Sequence, residues 1–571
     1  MADLSEVWLY QGGAPQGHSF ASGASAGTDN SVFLAGHAYG NDGWNGHPSS
    51  GMYDFAVVKL DADGEFLWAW LEGSEGSDFL RCAAAVDDGG VVVAGMSNGT
   101  WNGVESIGDA DFAAIKLDSD GDVVWRWQNG TSSPDELWGC VEAADGNVVV
   151  AGFTQGTWNS VVNDSWNDVV AVKLDVETGD IIWAYQEGTS NSAGAYVYGA
   201  AARADGSVVL CGCTFGSFAD SFYGDGESTD FLAITIDEDG NELWRWQDGP
   251  GTGINVLYAA AAFDDDSVVL VGSTSGNWTG SHSGGFDFAA VKLGSSGEEE
   301  WRLQLGTQLD DYWTGAAVGI DGSIVLSGKT YGEWQAVTDL GQDSVGISLD
   351  AEGNILWAFQ VGTTGDEGFE AVTVRPDGLV LLAGWTDGNF TEPEETDGFY
   401  DFVAILIDAN VTGSTTLVTA TPSPITSNAA TTPSPIGTII TPTPSSPSSS
   451  LVNPIMETTP GPVLLPVATS GSEGSKMPLE VIAGGSAGLG ILAIIAGVSL
   501  YCCWKRRIQG ERDIAAASAS TSNFAEYVKQ AAKAEEAVGG ASSLPPPTYS
   551  EPPPYEEPPS YSAILANGRA L

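Results

Sequence analysis

Two sets of residues in this chain have the types that metal or acid–base chemistry needs. Asp-x-Asp-Gly occurs at Asp61, Asp118 and Asp237, a carboxylate-rich turn that invites calcium. An EF-hand loop places its glycine sixth, whereas here glycine stands fourth, and Asp and Gly are also what tight hairpin turns require. These are read as turns on one acidic face, where weak cation binding is the most expected and no cofactor is. The second set is sparse: four His and six Cys in 571 residues, with no metal-ligand spacing, no nucleophile elbow and no phosphate loop. A non-enzymatic protein is expected.

A third set lies close to the C-terminus, where Pro546-Pro547-Thr548-Tyr549, Pro552-Pro553-Pro554-Tyr555 and Pro558-Pro559-Ser560-Tyr561 repeat one phrase. Proline fixes φ and donates no amide hydrogen, so the stretch must be extended polyproline II. Each copy resembles the ligand motif of WW domains, whose aromatic groove takes such a helix while the tyrosine fills a second pocket. Three copies let tandem readers gain avidity. The resemblance implies WW-domain partners such as HECT-type ubiquitin ligases, with Lys529 and Lys533 as nearby acceptors.

Those motifs need a compartment. Val481 to Trp504 runs about 24 residues without a charge, enough to span a hydrocarbon core of roughly 30 Å, and Lys505, Arg506 and Arg507 follow at once. The positive-inside rule then puts the tail in the cytosol and the N-terminal region outside, at the plasma membrane. Gly484 and Gly488 form a Gly-xxx-Gly, a dimer face in such helices, and Cys502 and Cys503 are palmitoylation candidates at the inner boundary. Met1 to Val7 has neither a basic nor an apolar leader region, so a start upstream of Met1 or a mature form is expected. Sequons at Asn98, Asn129, Asn163, Asn277, Asn389 and Asn410 suit an exterior location.

The large N-terminal region is repetitive. Asp-Phe-Ala-x-x-Lys-Leu-Asp-x-Asp-Gly-x-x-x-Trp starts at Asp54, Asp111, Asp168, Asp230, Asp287 and Asp343, with a shortened copy at Asp401. Between copies comes a Val-Val-Val-Ala-Gly strand, and each period carries four short apolar strands, the pattern of a propeller blade. The predicted order from the axis is an Ala-rich strand, the Val-Val-Ala-Gly strand, the Asp-Phe-Ala strand and a Trp strand. An orphan Trp strand, Val7 to Gly12, is expected to complete the last blade and seal the ring. Repeats such as Asp168 to Thr189 resemble the seven-bladed beta-propeller (SBBP-type) repeat family and, more distantly, quinoprotein propeller repeats; a seven-bladed all-β fold is what that implies.

The expected domains are a propeller over 1–410, a Ser/Thr/Pro-rich stalk over 411–478, a transmembrane helix over 479–504 and a cytoplasmic tail over 505–571. Residues 1–410 hold 11 Lys and Arg against 65 Asp and Glu, a net of −54, which argues against nucleic acid as a partner. Residues shared by every repeat are read as packing, and residues that differ at equivalent positions as free for a ligand. The position after the Ala-Gly of the second strand varies most, and His37, Phe153, Lys329 and Trp385 there are the candidates for binding an extracellular protein or glycan. Cys82 and Cys140 are read as occupying equivalent repeat positions, where they could face each other across neighbouring strands, and buried free thiols are the state expected of them. Together these features describe a receptor- or adhesion-like membrane protein, with a tethered enzyme or a passive spacer as alternatives.

Overall fold

The structure, a computed structural model, describes residues 5–409 except 15–16, 40–43, 45–47, 102, 160, 162, 164, 190–192, 219–227, 335–340, 364 and 391–398. The stalk, the membrane segment, the tail with its three Pro-Pro-x-Tyr motifs, Gly484, Gly488, Cys502, Cys503 and Asn410 lie outside the described residues. Among the described residues no helix is long and apolar enough to cross a membrane.

Among the described residues the regular elements are 28 β-strands in seven four-stranded antiparallel sheets. Blade 2 shows the plan: Asp78–Ala85 innermost, then Val91–Ser97, Asp111–Leu117 and Val123–Asn129 outermost. Val91–Ser97 and Asp111–Leu117 are buried along their whole length, as short unbroken apolar runs bounded by turns should be when both faces are covered. The innermost strands touch one another around a closed circle, with His18–Ala26 of blade 1 against both Asp78–Ala85 and Glu367–Val374 of blade 7. Ser5–Gly12 pairs with Asp401–Asp408 and completes blade 7. The expected propeller, its strand order and its closure by the chain's first strand are all present.

The shared residues pack blade on blade. In the turn after the third strand of blade 2, Asp118 Oδ1 accepts the amides of Asp120 and Asp122, each at 2.9 Å. Gly121 follows at φ 87°, where a side chain is strained, and a Cβ there would lie 2.9 Å from Cδ2 of Trp68 in blade 1. The Trp68 indole in turn donates to the Ser119 carbonyl at 3.0 Å. Trp8, Trp125, Trp183, Trp244 and Trp301 make the same clasp on the next blade's turn, at 2.9–3.2 Å. The loop tryptophans add a second staple: Trp101 packs edge-on against Phe55 of the preceding blade and donates to Glu72 at 3.1 Å.

Strand register corrects one sequence reading. Cys82 stands opposite Ala94 and Cys140 opposite Val150, whereas the counterpart of Ala94 in blade 3 is Ala151, which faces Gly139. The two cysteines are one residue out of equivalence, because the repeat is set by the aspartates that open the inner strands, Asp78 and Asp135, and not by the cysteines.

Candidate functional site

Every innermost strand carries a bulge at the same level. In blade 2 it falls between Leu80 and Cys82, with Arg81 as the extra residue of the inner strand. The cause is steric and lies in the neighbouring strand: a Cβ on Gly95 would come within 1.8 Å of the Phe79 carbonyl oxygen, and the matching glycines Gly152 and Gly272 meet theirs at 1.9 Å. The glycine of Val-Val-Val-Ala-Gly is thus where a bulged backbone approaches too closely for any side chain. A bulge re-aims the extra residue, here Ser22, Arg81, Trp138, Tyr198, Tyr258, Thr314 and Glu370 in chain order.

These side chains vary from blade to blade, tyrosine alone recurring, and four of them meet neighbour to neighbour along one arc. The Arg81 guanidinium lies over the Trp138 ring at 4.4 Å, Trp138 meets Tyr198 edge-on at 5.2 Å, and Tyr198 meets Tyr258 at 5.6 Å. On the other arc Thr314 Oγ1 donates to the Phe369 carbonyl at 2.5 Å, and Glu370 is buried. An aromatic arc over blades 3–5 therefore faces a polar one over blades 6, 7 and 1. The bulge residues were missed by sequence reasoning, although the glycine of each second strand signals them.

The four candidates from the varied second-strand position lie one step away from this ring, and all are buried. His37 packs between Phe20 at 5.2 Å and Phe79 at 4.8 Å, and burial, aided by Arg81, holds its pKa well below the usual imidazole value. Phe153 meets Tyr196 edge-on at 4.8 Å. Lys329 and Trp385 are brought together: both bond Glu370 Oε1, Lys329 Nζ at 2.6 Å and Trp385 Nε1 at 3.1 Å. His37 and Phe153 belong to other seams and do not join them.

The seam between blades 6 and 7 departs from the rule of the others. Where Phe55, Phe112, Val169, Phe231, Phe288 and Phe402 follow the aspartate that opens the third strand, blade 6 has the polar Ser344, paired in register with Lys329. Lys329 and Glu370 are only 2% and 8% exposed, and an ion pair so buried recovers its desolvation cost only when its remaining polar atoms are satisfied. Here Glu370 Oε2, Ser344 Oγ, Ser327 Oγ and Gln342 Oε1 are buried without a hydrogen-bond partner. Other blades also bury open polar atoms, Asp54 Oδ1, Asp111 Oδ1 and Ser273 Oγ among them, and what sets this seam apart is the buried ion pair. The cluster is charge-balanced, holds one buried ammonium and several open acceptors, and has the chemistry to hold a small polar, hydroxyl-bearing group.

The Asp-x-Asp-Gly turns spend their carboxylates locally, Asp61 Oδ1 accepting two amides of its own turn at 2.9 Å as Asp118 does. Among the described residues no group of three or more His, Cys, Asp or Glu is placed to hold a metal. Of the sequons, Asn98 and Asn277 are exposed, while Asn129, Asn163 and Asn389 are half-buried.

No family model and no curated protein matches the sequence. Solved structures that resemble it include BamB from Moraxella catarrhalis, at 14% identity, covering 71% of this chain and 98% of that one with a TM-score of 0.30. The quinohemoprotein alcohol dehydrogenase from Comamonas testosteroni is 10% identical over 73% of this chain and 78% of that one, with a TM-score of 0.40. XC5397 from Xanthomonas campestris, a gluconolactonase, is 14% identical over 56% of this chain and 91% of that one, with a TM-score of 0.28. Likeness at this level carries no argument about activity.

Proposed function

We propose that the chain is a single-pass, receptor- or adhesion-like membrane protein of the plasma membrane. Its propeller holds a ligand outside the cell, and its cytosolic tail recruits WW-domain proteins, HECT-type ubiquitin ligases among them, for trafficking or signalling. The observation that carries this reading is in the sequence: three Pro-Pro-x-Tyr copies, ending at Tyr549, Tyr555 and Tyr561, follow an uncharged stretch and Lys505-Arg506-Arg507. A polyproline motif repeated at fixed spacing has no packing role to serve, because it cannot bury a core. The propeller supports the other half of the reading through the departures of blades 6 and 7, where Lys329, Glu370 and Trp385 gather unspent polar atoms that a ligand would satisfy.

The test is capture of WW-domain ligases by the full chain expressed in cells, against a variant with Tyr549, Tyr555 and Tyr561 all changed to alanine. The reading predicts capture by the parent chain and a loss of tenfold or more in the variant, with slower turnover at the surface. Equal capture by both would overturn it.

A further inference from the structure

We propose that Cys82 and Cys140 are the two halves of an inter-blade disulfide, a modification site that joins blades 2 and 3 at the wall of the central channel. The place of Cys82 is held in the other inner strands by Gly23, Gly139, Gly199, Ala259, Gly315 and Ala371. Only small residues fit because a side chain there meets the next inner strand at once: a Cβ on Gly23 would lie 2.8 Å from the Cα of Cys82. What it faces in the next blade is the peptide joining two consecutive residues, Cys82 and Ala83 for Gly23 and Gly199 and Ala200 for Gly139, and Cys140 occupies the second of those places. In the following seam the same two places are Gly139 and Ala200, and a Cβ on Gly139 would stand 3.2 Å from that of Ala200. Disulfides need Cβ atoms about 3.5–4.5 Å apart, so an opening of a few tenths of an ångström brings the cysteine pair into range. The one-residue offset between Cys82 and Cys140 is what sets them face to face.

In the reduced protein the Cys82 thiol donates to the Ala94 carbonyl at 3.7 Å and the Cys140 thiol to the Val92 carbonyl at 4.0 Å, and burial, with Cys82 beside it, holds the Cys140 thiol well above the ordinary range. Cys82 is buried, while Cys140 is half-buried and is the thiol an oxidant reaches first. With glutathione disulfide as oxidant, the Cys140 thiolate attacks one of its sulfurs and releases one glutathione thiolate. The Cys82 thiolate then attacks the mixed disulfide at Cys140 and releases the second. The protein loses two hydrogens, and one glutathione disulfide becomes two thiols. Because the thiolate is the attacking form, the reaction quickens as pH rises.

The full chain in detergent, held with glutathione disulfide at about pH 8 and digested with trypsin without reductant, tests this. The expected product joins the peptides 82–116 and 127–173, which carry Cys82 and Cys140, is two hydrogens lighter than their sum and is separated by reductant. Oxidation should also raise the melting temperature of the propeller by several degrees. Neither effect should appear in Cys140→Ala, which installs the alanine that Ala83 and Ala200 already provide at that place. Thiols that stay reduced, glutathione retained on Cys140, a link to Cys211 or Cys213, or a linked product in Cys140→Ala would each overturn the assignment.

Discussion

Six seams of the propeller are alike and the seventh is not. In the six, an outer-strand indole clasps the glycine turn of the next blade, with Trp8, Trp68, Trp125, Trp183, Trp244 and Trp301 in the same role. Between blades 6 and 7 the equivalent Trp357 makes no such hydrogen bond among the described residues, and the outer pair of blade 7 joins Asp401–Asp408 to Ser5–Gly12 from the other end of the propeller. That same seam keeps an apolar core, Val325, Trp357 and Phe359 against Phe369, Leu382 and Ile405, and adds to it the buried pair Lys329–Glu370. Where a ring is held by repetition, a seam that breaks the repeat and buries unsatisfied polar atoms is the place to look for function.

Substitutions can break or sharpen that contrast. Trp125→Ala removes a clasp and a buried ring, and should lower stability by about 4 kcal/mol in chemical denaturation. Glu370→Ala should cost about 3 kcal/mol, because it strands the buried Lys329 ammonium. The joint change Lys329→Met with Glu370→Gln, which keeps an acceptor for the Trp385 indole, should stay within about 1 kcal/mol of the parent. A large loss in the joint variant would make the pair a structural tie and remove it as a ligand site.

The next effect is on pH. Asp135, Asp311 and Glu367 open inner strands, and burial raises them from ordinary carboxylate values to about 6, about 7 and about 8. A carboxyl raised in the folded state contributes stability that is fully present below its unfolded value, near 4, and is lost as pH rises through the folded value. The melting temperature should therefore fall between pH 5 and pH 8, and Glu367→Gln should flatten the upper part of that slope. Smallest is the clasp itself: Trp125→Phe should cost about 1 kcal/mol for its hydrogen bond, and Trp357→Phe should cost less for want of one.

Much of this was legible in the sequence. The regular Trp, the turn glycine after the third strand and the Ala-Gly strand announced blades and closure, since each meets one steric demand that recurs from blade to blade. The bulge ring was not legible, because a bulge is a property of register between two strands and leaves Arg81 and Glu370 looking like ordinary members of an alternating run. The Lys329–Glu370 pair was half legible: Lys329 stood out at a varied position, but its partner is 41 residues on, in another blade. Ser344 was the overlooked clue, a serine in a phrase that elsewhere reads Asp-Phe or, at Asp168-Val169, Asp-Val.

The account rests on repetition holding the ring while the departures of blades 6 and 7 take the ligand. An array of glycans and extracellular proteins, probed with the full chain in lipid nanodiscs beside the Lys329→Met and Glu370→Gln double variant, tests this most directly. The account predicts a bound feature that the double variant loses while its melting temperature stays put. Equal binding by both would contradict it.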